Sequence, residues 1–206
     1  MLLKSDGGKE FEQPPAGTHI ARCYQVIDLG TQAGEYQGVA NSARKVSIRW
    51  ELCNELMSDG EMAGKPFSVG KIYTASLNEK ATLRHHLESW RGKAFTDAEL
   101  MGFDSSALLG KACMVNVGMT EKNKAKVLSV ASVPKGMTAP AQVNPSVNFS
   151  LDKFDGQTFE TLSKWLKGEI IKSPEYRKLF DASGQDSWEA DPLDDIPHED
   201  DGTIPF

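Results

Sequence analysis

Hydrophobic and polar residues alternate with a period of two along five stretches of the chain, a pattern that is typical of β-strands. The five stretches cover residues 18–29, 44–53, 67–75, 111–119 and 125–133. Between the third and the fourth the period changes. Leu83, Leu87 and Trp90 recur at helical spacing, which predicts a helix over residues 78–91. Residues 97–109 predict a short second helical piece.

The first two predicted strands each present two distinct faces. In the first strand, one face carries Ile20, Arg22, Tyr24 and Val26, and the other carries Ala21, Cys23, Gln25, Ile27 and Leu29. In the second strand, the predicted core face is Val46, Ile48, Trp50 and Leu52, and the predicted exposed, half-basic row is Lys45, Ser47, Arg49 and Glu51. Residues 30–43 are rich in glycine and predict a long loop between the two strands, of a kind that is often functional.

The order of predicted elements is β-β-β-α-β-β. It predicts a mainly β domain over residues 17–133, a five-stranded OB-fold barrel with a helix between strands 3 and 4. Residues 1–16 predict a flexible lead-in, and residues 134–154 a Pro-rich linker. Residues 155–180 repeat apolar side chains at helical spacing, so a small helical module is expected there. Its core is too small to stand alone, and it should pack on the barrel, on another subunit or on a partner.

The last 26 residues, 181–206, carry nine acidic residues, three prolines and no Lys or Arg. Dense like charge and proline prevent a packed core, which predicts a disordered acidic tail. The whole chain has a net charge of −6, yet the other 180 residues carry 23 basic and 20 acidic groups. The mildly basic remainder therefore suggests a surface that binds anions and for which the tail can compete.

Signatures of catalysis and of metal binding are weak. No His-Glu-x-x-His, Gly-x-Ser-x-Gly or phosphate-binding Gly-x-x-x-x-Gly-Lys-Ser/Thr motif occurs. His85 and His86 are adjacent on a predicted helix and point roughly 100° apart, which does not suit a shared metal. The acidic pairs of the tail have nothing to fix their geometry. We therefore expect no enzymatic activity, no metal and no cofactor.

The cysteines and the apolar runs indicate a compartment. Cys23, Cys53 and Cys113 lie far apart in apolar stretches without a Cys-x-x-Cys motif, which is typical of reduced core residues in the cytosol. The first residues contain no apolar signal region, and no run approaches the roughly 18 apolar residues of a membrane span. A cytoplasmic protein without a membrane partner is expected.

Basic and aromatic residues recur on the elements that line the groove of an OB-fold, which are the face of strands 2 and 3 and loops 1–2 and 4–5. Proteins that bind single strands need cations for the phosphates and aromatic rings on which bases stack. The candidates are Arg22, Tyr24, Tyr36, Arg44, Lys45, Arg49, Lys71, Tyr73, Lys122, Lys124 and Lys126. For Tyr24 and Tyr73 the pattern leaves core and groove positions open, whereas Trp50 is expected in the core.

The ending Asp-Asp-Gly-Thr-Ile-Pro-Phe, residues 200–206, resembles the C-terminal tip of bacterial single-stranded DNA-binding proteins, in which a run of Asp is followed by Ile-Pro-Phe. Here Gly202 and Thr203 interrupt the direct join. The strand pattern, the long first loop and residues 44–52 resemble the OB-fold single-stranded DNA-binding proteins of tailed bacteriophages. That resemblance covers roughly residues 10–135.

The resemblance implies a protein that coats single-stranded DNA during phage replication, recombination and repair in the cytoplasm of the host. It also implies that the tail recruits a polymerase, helicase or recombinase. The tail residues that would meet the partner are Asp200, Asp201, Ile204, Pro205 and Phe206. Two other readings stay open, a protein-interaction adaptor whose barrel binds protein and an enzyme with an unrecognised site. A homo-oligomer is possible in each case.

Overall fold

The structure, a computed structural model, describes residues 12–36 and 38–181, without the side chains of residues 36 and 181. The predicted acidic tail from residue 182 onward lies outside this part of the chain. The strands are β1 (Gly17–Tyr36), β2 (Val39–Leu56), β3 (Pro66–Thr74), β4 (Ala112–Met119), β5 (Ala125–Ala131) and β6 (Val147–Phe149). The helices are α1 (Thr82–Arg91), α2 (Asp97–Leu100), α3 (Gly156–Thr161), α4 (Lys164–Lys172) and α5 (Pro174–Asp181). The prediction of a mainly β body is confirmed.

All six described strands belong to one sheet, in which the order β3-β2-β1-β4-β5 is antiparallel throughout. The short β6 pairs in parallel with the middle of β1. The sheet curls until β3 and β5 come into contact, and α1 packs against both of them. The buried face of α1 carries Leu83, Leu87 and Trp90, as its apolar spacing predicts.

A two-stranded arm replaces the loop that was predicted over residues 30–43. β1 and β2 stay paired as far as Tyr36 and Val39, so the connection between them is very short. Most of the arm is exposed and polar on both faces. The prediction of a loop was wrong because such a strand lacks the alternation that marks one buried face, while its backbone hydrogen bonds still form.

The interior of the curled sheet holds one core, and a β-bulge decides which residues of β1 enter it. The register of β1 against β2 shifts between Cys23 and Gln25. An extra residue at a bulge reverses the facing of every side chain that follows. Val26 therefore lies in the core with Ala21 and Cys23. Strict alternation had instead placed Val26 on the same face as Arg22.

A second cluster lies on the outer face of the sheet, where Ile27 and Leu29 of β1 are fully buried against the C-terminal helices. The helical partners are Phe159, Leu162, Leu166, Ile170 and Tyr176. The first part of the expected helical module is divided into α3 and α4, because the Ser163 hydroxyl accepts a hydrogen bond from the Leu166 N–H and starts a new helix. The helical module thus packs on the β body.

Two segments that were predicted as lead-in and linker are fixed to the body where the structure describes them. The Glu12 carboxylate accepts hydrogen bonds from the backbone and the hydroxyl of Ser58, and Gln13 accepts one from the Ala125 N–H. Residues 134–146 run across the sheet as an irregular segment, called the strap below, before β6 begins. The Pro-rich composition indicated a lack of regular secondary structure, yet the segment is held against the β body.

Candidate nucleic-acid interface

The outer face of β1, β2 and β3 carries four of the predicted binding residues, Arg22, Tyr24, Lys45 and Arg49, and the strap covers part of it. Glu51 is completely buried there. Its carboxylate accepts hydrogen bonds from the Val143 N–H, the Asn144 N–H and the Asn144 side-chain amide, each at 2.7 Å. The row that was predicted to be exposed is therefore half covered, since Ser47 is also fully buried. A buried carboxylate needs such donors, and the strap supplies them.

Arg22 holds the same strap in place. Its guanidinium donates to the carbonyl oxygens of Pro140 at 2.5 Å and Ala139 at 3.1 Å. A third bond runs to the Gly110 carbonyl oxygen at 2.7 Å. Backbone carbonyls of the protein itself thus use three of the five N–H donors of Arg22, and its contact with a nucleic acid stays a prediction.

What remains accessible on this face is three partly exposed side chains, Tyr24, Lys45 and Arg49, which we call the open strip. The strip is interrupted between Lys45 and Arg49 by Ser47, which is fully buried. The Tyr24 hydroxyl donates to the Ser68 hydroxyl at 3.2 Å, which orients the ring across β3. Lys45 donates to the Thr74 hydroxyl at 3.2 Å in an exposed position. Since residues four apart on a strand are roughly 13 Å apart on the same face, Lys45 and Arg49 place two cations along the strip.

Arg44 lies at the base of the arm and is paired with acids. Its guanidinium donates to Asp28 through Nε at 3.0 Å and through a terminal nitrogen at 2.5 Å, and it forms a salt bridge with Asp152. The hydrogen bonds that Arg44 donates to Asp28 are the main reason why the pKa of Arg44 lies above its usual value, and Asp152 adds to the effect. The pair stands at the rim of a cavity of about 470 Å³. Arg44, predicted as a phosphate ligand, holds elements of the protein together instead.

Lys71 and Tyr73 lie at the contact between β3 and β5, which we call the seam. Tyr73 is 3% exposed, and its hydroxyl shares a hydrogen bond of 2.8 Å with Nδ1 of His86. Tyr73 is therefore a core residue and not a stacking platform. Lys71 is half buried and donates to the Val127 carbonyl oxygen at 3.1 Å. Burial, with the charge of Lys126 adding to it, lowers the pKa of Lys71.

The turn between β4 and β5 presents lysines on its surface. Lys122 and Lys124 are exposed, and Lys126 is partly exposed at the start of β5. The turn is closed by a backbone hydrogen bond from Thr120 N–H to Lys124 O at 2.8 Å, and Asn123 adopts a left-handed conformation with φ 59°. Asn tolerates this conformation better than most residues, so the turn is well defined.

The arm is clamped at its base by the helical module. The Glu175 carboxylate of α5 accepts hydrogen bonds from the Thr31 backbone N–H at 2.8 Å and from the Thr31 hydroxyl at 2.6 Å. Gln32 donates to the Glu169 carbonyl oxygen. The side chain of Tyr36, a predicted binding residue near the tip of the arm, lies outside the described part of the chain.

The structure therefore divides the predicted binding residues into two groups. In the first group the charged or hydroxyl group binds the backbone, an acid or a histidine of the protein, and its members are Arg22, Arg44, Lys71 and Tyr73. In the second group the side chain is exposed or partly exposed along the outer face or the β4–β5 turn, and its members are Tyr24, Lys45, Arg49, Lys122, Lys124 and Lys126. The sequence analysis missed Glu51 and His86, which bind distant backbone and side-chain groups. The one signal in the sequence for the structural role of Glu51 was its position directly after Trp50, which was expected in the core. The predicted tail residues at 200–206 lie outside the described residues.

Three further findings concern metal ions, membranes and known proteins. Among the described residues, no group of three or more His, Cys, Asp or Glu side chains is arranged to hold a metal ion. In the same part of the chain, no helix has both the length and the apolar character needed to cross a membrane. Comparison with protein-family models, with curated proteins and with solved structures finds no match.

Proposed function

We propose that the chain is a non-enzymatic protein that binds single-stranded DNA without sequence preference. Its curled sheet, with α1 between β3 and β4 and with β1 paired to β2 and β4, supports assignment to the OB-fold class. Such a fold can grip unpaired bases on the outer face of its sheet. The role that follows is the coating and protection of single strands in phage replication, recombination and repair, in the cytoplasm of the host.

The open strip is the observation that carries this proposal. Tyr24 offers an aromatic ring near Arg49, because its neighbours Cys23 and Gln25 pair with residues 50 and 49 of β2. Lys45 lies four residues further along β2, towards the arm. This combination of one ring and two cations is what an unpaired nucleotide needs, since the base stacks and the phosphates meet positive charge. Every base has a π-face, so recognition by stacking does not depend on sequence.

The tail, residues 181–206, supplies the second half of the proposed function. Its acids compete with DNA for the basic surface, and DNA that binds there releases the tail to a polymerase, helicase or recombinase. Charge steers the encounter with such a partner, while the Ile-Pro-Phe segment fills an apolar pocket on it.

A titration with poly(dT) tests the proposal. We expect the protein's Trp and Tyr fluorescence to be quenched by poly(dT) but not by a duplex of equal length. Tyr24→Leu should weaken binding by about 5- to 100-fold, because stacking contributes roughly 1–3 kcal/mol per base. Tyr24→Phe is the matched control, since it removes the hydrogen bond to Ser68 but keeps the ring, and it should bind like the wild type.

A second function, that of a protein-interaction adaptor, is favoured by one observation. The strap and the helical module already cover much of the face that a nucleic acid would use. The same titration separates the two functions. If the full-length protein shows neither quenching nor a gel shift with poly(dT) in dilute buffer, the adaptor function replaces DNA binding.

A further inference from the structure

The seam between β3 and β5 is closed by side chains. In the described sheet the two strands are not paired through their backbones. Lys71 of β3 donates to the Val127 carbonyl oxygen at 3.1 Å, while His86 of α1 bonds to the backbone of Leu128 and shares a hydrogen bond with Tyr73. Lys126 immediately precedes the carbonyl that Lys71 contacts. The two lysines therefore converge on one short stretch of β5.

The charge at the seam is unbalanced. The charge of Lys126 lowers the pKa of Lys71, and the charges of Lys71 and His85 lower the pKa of His86. All of these groups are basic. No carboxylate in the described part of the chain forms a salt bridge with Lys71 or Lys126. When basic groups lie close together without an acid between them, each destabilises the charged form of the other. A bound anion would remove that penalty.

The seam also continues the open strip. Gly70 pairs with Arg49 in the β2–β3 ladder and directly precedes Lys71. A glycine in a strand leaves the backbone open to the close approach of a ligand. Lys71 pairs with the core residue Ile48, so its side chain starts on the inner face of β3 and reaches across the seam to β5. A chain that crosses Arg49 and Gly70 on the outer face therefore arrives at the seam, with Lys126 beyond it on β5.

We infer that Lys71 and Lys126 together bind a backbone phosphate of the single strand. This inference rests on the proposed DNA binding and adds the path that the single strand takes across the protein. The strand leaves the open strip over β3 and crosses the seam, away from the face that the strap and the helical module cover. Lys71 has an ammonium group with three donors, of which one is used by Val127, so two remain for a phosphate.

Salt dependence of binding tests the path. In the full-length protein, Lys126→Gln should lower the slope of log K against log salt for oligo(dT) by about 0.7, the effect of one lost phosphate contact on a single strand. Lys126→Arg should keep the slope. Lys135→Gln, an exposed lysine in the strap, is the matched control and should also keep it. If the wild type binds but Lys126→Gln has an unchanged slope, the inference is wrong while the proposed function stands.

An NMR titration of the Lys71 side chain gives an independent readout. With oligo(dT) bound, the pKa of Lys71 should rise from its lowered value, because a phosphate favours the charged form. A purely structural role at the seam would leave the pKa unchanged, and that result would overturn the inference. It would also be overturned if a peptide of residues 181–206 raised the pKa of Lys71 and oligo(dT) did not.

Discussion

Individual polar side chains on the outer face of the sheet mostly bind the protein itself. Glu51 and Arg22 are neighbours across the β1–β2 ladder, yet each turns to the backbone of the strap. Both are charged groups that satisfy amides or carbonyls of a segment without regular structure. The strap could not otherwise lie on the sheet without leaving backbone groups unpaired. A basic residue that the sequence suggests as a ligand of a nucleic acid can therefore have a structural role.

His86 makes stability depend on pH. Burial, with the charges of Lys71 and His85 adding to it, lowers the pKa of His86 from 6.5 to about 4 in the folded protein. Between these values the unfolded chain binds more protons than the folded one, so the free energy of unfolding falls as the pH falls from 6.5 towards 4. We expect His86→Gln to flatten this part of the profile, measured by urea unfolding at several pH values.

The control for this prediction is the adjacent residue on the same helix. His85 is exposed, and His85→Gln should keep most of the pH dependence of the wild type, losing only the small part that the charge of His85 adds to the lowered pKa of His86. The carboxylates that titrate in the same range are common to all three proteins, so their contribution cancels in the comparison. A profile for His86→Gln that is as steep as that of the wild type would show that His86 is not the group responsible.

At the scale of elements, two glycines of the arm allow the docking of the helical module to be measured. Gly30 and Gly38 have nearly equal φ values, +70° and +76°. A Cβ at Gly30 would lie 2.4 Å from the Cβ of Ser173, whereas a Cβ at Gly38 would meet nothing within 4 Å. Gly38→Ala therefore measures the backbone strain alone, about 1 kcal/mol. Gly30→Ala adds a collision with the start of α5.

We expect Gly30→Ala to lower the free energy of unfolding by about 3 kcal/mol, the strain plus an overpacking cost of roughly 1–3 kcal/mol. Urea denaturation of both variants measures the difference. The result matters for the fold because Ser173 is fully buried between α4 and α5, where its hydroxyl accepts the Tyr176 N–H. Equal losses in the two variants would mean that α5 does not pack closely on β1.

Local patterns predicted the elements that have one buried face. The period-two strands and the stripe of α1 are such elements, since burial on one side leaves a repeat in the sequence. The arm has no buried face, and the bulge after Cys23 is a matter of register that no local repeat records. The strap is placed by Glu51, which is 92 residues from Val143 in the chain. Long-range contacts of this kind determined which candidate site residues stayed exposed.

At the scale of the whole molecule, charge is divided between a mildly basic body and an acidic C-terminal segment. The nine acids of residues 181–206 are tethered to the body, which gives them a high effective concentration near its basic surface. The tether raises the affinity of the body for these acids without any new contact. Under the proposed function, DNA therefore competes with the segment for the open strip and the lysines of the β4–β5 turn.

A chain that ends at residue 180 should bind oligo(dT) more tightly than the full chain, by about tenfold at 0.02 M salt and with little difference near 1 M salt, because screening shortens from beyond 20 Å to about 3 Å. Fluorescence titrations across this range measure both affinities. A full-length variant in which the nine acids become Asn or Gln separates charge from length, since it should bind like the shortened chain. Equal affinities of the full and shortened chains in dilute salt would rule out competition by the tail, because attraction between the tail and the basic surface is strongest there.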